Sequence, residues 1–132
     1  MLIEEQFRAL VLVVPAVTAL IGERLSPVFL RPGETLPAAT YRRSSTSFLD
    51  ETLEDENFER PHMEIILWGM DYVALKTAMA ALKQALRTGT FADPIAAISL
   101  LDEEDTFDDR YQHADGVGLP GIRLACELIL TT

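Results

Sequence analysis

Cysteine occurs once in this chain of 132 residues. A lone thiol cannot close an intrachain disulfide, which excludes a small bridge-stapled secreted scaffold and points to a reducing compartment. Histidine occurs twice, at His62 and His113, about fifty residues apart, and a zinc site would need Cys or clustered carboxylates convergent with them, which one Cys on a predicted core face does not supply. Basic residues are scarce: eleven Lys plus Arg stand against twenty-one Asp plus Glu, a formal charge of −10. That charge repels phosphate and anionic lipid over about 8–10 Å, so a general nucleic-acid binder is excluded. Long apolar runs are missing as well. Leu10 to Val14 follows Glu4 and Glu5, is cut by Pro15, and falls far short of the roughly 20 residues of a membrane span. The expectation is a soluble protein with no membrane partner.

What remains is ordinary globular material, 48% apolar and 24% charged, with no repeat of solenoid period. The length suits one domain, residues 1–132. Phe7, Leu10, Val11 and Val14 form the stripe of an amphipathic helix, and Pro15 to Ile21 a second short helical turn ended by Gly22, together a bent N-terminal lid. Ser26 to Pro37, with three prolines and Gly33, reads as an ordered loop. Leu36 to Ser44 and Pro61 to Trp68 read as strands, the latter turning Met63, Ile65 and Leu67 one way and His62, Glu64, Ile66 and Trp68 the other. Asp71 can cap a helix whose Leu75, Met79, Leu82 and Leu86 share one face, with Gly89 past its end. Two further strands follow, Ile95 to Leu101 and Gly121 to Thr131. The second places Ile122, Leu124, Cys126, Leu128 and Leu130 on one face, opposite Arg123 and Glu127. The expected fold is α+β: a mainly antiparallel four-stranded sheet with an N-terminal helix and one long helix packed on one face.

Twelve of the acids crowd into two stretches. Asp50, Glu51, Glu54, Asp55, Glu56 and Glu59 surround Leu53 and Phe58; Asp102, Glu103, Glu104, Asp105, Asp108 and Asp109 surround Phe107. A purely solvating tract would hold no such hydrophobes. Both stretches read as loops that dock onto another surface or line a pore; the other reading is that the hydrophobes tuck back onto their own domain. Arg42 and Arg43, beside Ser44, Ser45 and Ser47, read as an exposed strand end at an interface.

Chemistry finds no foothold. Gly116, Gly118 and Gly121 spell G-x-G-x-x-G, but the motif contains Pro120 and runs into a strand rather than a helix, so it is no dinucleotide site. The acidic residues lack the spacing of an EF-hand. Cys126 sits among apolar neighbours, a core residue rather than an activated nucleophile. Met63, Met70, Met79 and Trp68 read as packing. The expectations are no enzyme, no cofactor and no metal.

The order of segments supplies what chemistry does not. The N-terminal helix runs into PAVTALIGERLSP; RPGETLPAATYRRSS, MEIILWGMDYVALKTAMAALKQAL and LLDEEDTFDDRYQ follow, and GIRLACELIL closes the series. This pattern, over most of residues 2 to 130, resembles the tail-completion or tail-terminator proteins of long-tailed bacteriophages and prophages. The resemblance implies a small α+β subunit without enzymatic activity that forms a ring, commonly a hexamer, at the head-proximal end of the tail tube. The ring would stop tube polymerisation and offer a docking surface to the head–tail connector or stopper protein. Its implied partners are its own copies, the tail tube protein and that connector, with DNA passing through unbound; its implied place is the virion, after assembly in the host cytoplasm. Competing readings are another neck protein, such as a head-completion or stopper subunit, and a small acidic binding module of a host cell.

Overall fold

The computed structural model describes residues 2–48, 59–108 and 118–131. Among these the chain runs α1 (Ile3–Leu12), α2 (Pro15–Ile21), β1 (Leu25–Pro27), β2 (Ala38–Phe48), β3 (Glu59–Trp68), α3 (Tyr72–Thr88), β4 (Ile95–Asp108) and β5 (Leu119–Leu130). The class is α+β, but the sheet is mixed and has five described strands in the order β1-β2-β3-β5-β4. The four long strands pair antiparallel, and β1 adds to β2 in parallel, Leu25 opposite Ala39 and Pro27 opposite Tyr41. The expected four-stranded sheet thus lacked β1, hidden at the start of a stretch read as loop. Three residues carry no period, and Pro27 is tolerated because β1 is an edge strand, where one side of the ladder needs no donor.

The helices break and cap as their residues dictate. Pro15 lies at the first position of α2, its missing N–H costing nothing there, and Gly22 follows the last turn at φ 61°. Glu5 caps α1 by accepting the Leu2 N–H at 3.2 Å. Asp71 Oδ1 accepts the Ala74 N–H at 3.1 Å at the start of α3. Gly89 ends α3 in an extended conformation, and a Cβ there would stand 2.7 Å from the Ala85 carbonyl oxygen, so close approach explains the glycine.

All three helices lie on one face of the sheet. Phe7, Val11, Val17 and Ile21 from α1 and α2, and Leu75, Met79, Leu82 and Leu86 from α3, form one buried cluster with Met63, Ile65 and Leu67 of β3 and Ile122, Leu124, Cys126 and Leu128 of β5. The expected stripes of α3, β3 and β5 do meet in the core. Gln6 Nε2 donates to the Ala92 carbonyl at 2.8 Å, tying α1 to the turn before β4. The other sheet face carries no described helix.

Candidate interaction face of the sheet

Period-two alternation places Thr40 and Arg42 of β2, Glu64, Ile66 and Trp68 of β3, and Arg123 of β5 on the face away from the helices. Arg42 stands opposite Glu64 in register, and its Nε donates to Glu64 Oε1 at 3.0 Å. Arg123 Nε donates to the other oxygen, Oε2, at 2.6 Å, while its Nη1 reaches Asp102 at 3.4 Å and Glu104 at 3.3 Å. A row of alternating charge therefore crosses β2, β3, β5 and β4. Glu64 is 5% exposed. Burial alone would raise its carboxyl, but the hydrogen bonds from Arg42 and Arg123 outweigh that and hold it below the ordinary value. The same bond to Glu64 raises the pKa of Arg123. A second pairing lies further along, where His62 Nε2 is 3.0 Å from Glu127 Oε2 and 3.1 Å from Ser47 Oγ.

Asp102, Glu103, Glu104, Asp105, Phe107 and Asp108, expected in a loop, are the second half of strand β4. Carboxylates disfavour strands by propensity, and cations from other elements reverse the balance here. Glu103 faces α3 and binds Lys76 at 3.1 Å and also Lys83, whose bond does most to lower its pKa. Asp105 accepts the Tyr72 hydroxyl at 2.9 Å and lies 3.2 Å from Lys76, both lowering its pKa. Asp102 and Glu104 turn to Arg123 on the opposite face. Of the first acidic stretch, Asp50, Glu51, Leu53, Glu54, Asp55, Glu56 and Phe58 lie outside the described residues, as do Asp109, His113 and Gly116. Glu59 opens β3 and lies 3.6 Å from Arg43, which also binds Glu4 of α1 at 2.6 Å. Arg42 and Arg43 are mid-strand in β2 rather than at its end, because β2 continues past the serines to Phe48.

Over the uncovered face runs a cleft of about 850 Å³. Thr40, Arg42, Glu64, Ile66 and Trp68 make its floor, Val28, Phe29 and Leu30 one rim, and Thr106, Phe107 and Asp108 the other. Trp68 lies flat enough across β5 that Gly121 is required beneath it, and its Nε1 donates to Thr40 Oγ1 at 3.0 Å. Val28 has φ 69°, an unusual conformation for a β-branched residue. Its N–H donates to the Tyr41 carbonyl, and the Phe29 N–H to the Pro27 carbonyl, both at 2.8 Å, a γ-turn that costs about 1–3 kcal/mol in strain. Cys126 is buried on the helix side, its thiol pushed up to about 12 by desolvation, so it holds no thiolate at neutral pH. Among the described residues no three His, Cys, Asp or Glu side chains converge as a metal ligand set.

Residues 5–117 match the family described as Tail completion protein gp17. The chain belongs to that family. A tail completion protein is a structural component of phage tail assembly, and the chain's role is of that kind. Among solved structures, one similar chain comes from a "Virion of native gene transfer agent (GTA) particle", with TM-score 0.57 and 14% identity over 87% of this chain and 84% of that one. At that identity the likeness concerns the fold alone. No curated protein matches.

For this tail completion family member, the sequence reading missed the residues that organise the uncovered face. The strained turn at Val28 left no trace in a stretch read only as proline-rich loop. The Arg42–Glu64–Arg123 row has a partial signal in the sequence, since period two sets Glu64 with His62, Ile66 and Trp68 and sets Arg123 opposite the apolar face of its strand. What joined them was strand order, which no local pattern contains.

Proposed function

We propose that the protein is the ring-forming terminator of the tail tube: copies close into a ring at the head-proximal end, stop tube polymerisation and present the surface to which the head–tail connector or stopper docks. The observation that carries this reading is the match to the tail completion family over residues 5–117. The similar solved chain comes from a virion, which supports a place in the particle; assembly in the host cytoplasm beforehand belongs to the proposal. Stacked tube rings end in a surface that keeps recruiting subunits. Termination needs a cap that matches this end and offers no further tube-like face. Charge fits the same role. Six copies at −10 each would carry about −60, a field that keeps passing DNA from adhering to the ring.

Particles assembled without this protein test the reading. The expected result is DNA-filled heads unattached to tails, with tail tubes of uncontrolled length. Tails of normal length beside heads that have lost their DNA would instead assign the chain to the stopper position in the neck.

A further inference from the structure

We infer that the copies of this chain associate head to tail, the Val28–Phe29 turn beside β1 of one copy seating on the exposed β4 edge of a second copy around Leu101 and Phe107. The inference rests on the ring reading above and specifies which surfaces close the ring. Both lateral ends of the sheet display large hydrophobes to solvent: Val28 60% and Phe29 71% exposed at the β1 end, Leu101 50% and Phe107 57% at the β4 end. The two ends differ in charge. Asp102, Glu103, Glu104 and Asp105 along β4 outnumber the Lys76, Lys83 and Arg123 that pair with them, whereas beside the turn Arg31 is exposed, half-exposed Arg42 is paired with Glu64, and Glu4 is paired with Arg43. Pairing β4 with its own copy would set acid against acid, and pairing unlike ends sets arginine against carboxylate. Unlike ends in contact make a heterologous interface, the kind that closes into rings.

Backbone features point the same way. β4 is a fourteen-residue edge strand with one side of its ladder unpaired among the described strands, a template that proteins cover or guard. β1 is three residues long, too short to serve as such a template. The γ-turn holds Val28 in a left-handed conformation while leaving both apolar side chains in water. Within one subunit that strain is not compensated by burial; a neighbour covering the turn supplies it.

The test uses the full chain with Phe29→Asp and Phe107→Asp, each at an exposed position, an unchanged urea midpoint confirming the fold. Each variant alone should lose ring assembly by roughly tenfold or more in sedimentation and native mass spectrometry. Mixed together, the two retain one sound turn and one sound edge between them, so they should form a one-to-one heterodimer and stop. In assembled particles of the Phe29→Cys/Leu101→Cys variant, oxidation should give a covalent ladder of subunits. Rings that survive both Asp substitutions, a mixture that stays monomeric, or absence of the ladder in particles that contain rings would overturn this contact while leaving the ring reading in place. Wild-type protein that forms no ring, in solution or on tube ends, would remove the ring reading itself and the contact with it.

Discussion

Gly121 stands opposite Trp68 in the β3–β5 ladder, and a Cβ on residue 121 would lie 2.6 Å from the indole Cε3 and 2.9 Å from Cζ3. The third glycine of the G-x-G-x-x-G string thus makes room for a ring. Gly121→Ala should displace Trp68 from the cleft floor and destabilise the fold by about 1–3 kcal/mol. Trp68 is the sole tryptophan, so its emission reports the shift directly during urea unfolding. An unchanged emission maximum and midpoint would show that the indole has space to move aside.

Leu82 is fully buried between α3 and the sheet. Leu82→Ala should cost about 2–5 kcal/mol, part lost transfer energy and part cavity. A loss under about 0.5 kcal/mol in urea would remove the α3 stripe from the core.

Glu64 links acid stability to the uncovered face. Its folded-state pKa lies below the ordinary 4.5, so its contribution is full above that value and is lost as pH falls toward the lower folded value. Glu64→Gln should cost about 1–3 kcal/mol at neutral pH, since Arg42 and Arg123 keep partial access to water. The difference between wild type and variant should then shrink progressively below about pH 4.5. A difference that is constant from pH 7 to pH 3 would show that Glu64 contributes through packing alone.

The acidic half of β4 should behave as strand in the isolated subunit. Amides from Asp102 to Asp108 that point toward β5 should exchange slowly, and those on the outer edge orders of magnitude faster. Uniformly fast exchange across this segment would mean that Lys76, Lys83 and Arg123 do not hold it against β5.

The chain's own pattern determined the elements whose period is intrinsic to the backbone. Leu75, Met79, Leu82 and Leu86 recur at the helical spacing behind an aspartate cap, and Ile122 through Leu130 recur at period two, so these segments have one face to bury whatever surrounds them. Pro15 divided the N-terminal helices for an equally local reason, its missing donor. The sequence of segments as a whole carried the resemblance to tail completion proteins. Tertiary structure alone decided that Leu25 to Pro27 is a strand, because three residues become one only when β2 lies alongside. It also decided that the seven residues from Asp102 to Asp108, expected as loop, extend β4: the carboxylates of Asp102 to Asp105 are met by Lys76 and Lys83 one helix away and by Arg123 across the ladder. Charge repulsion is read locally in a sequence, whereas the countercharges that reverse it come from strands and helices that only folding brings together.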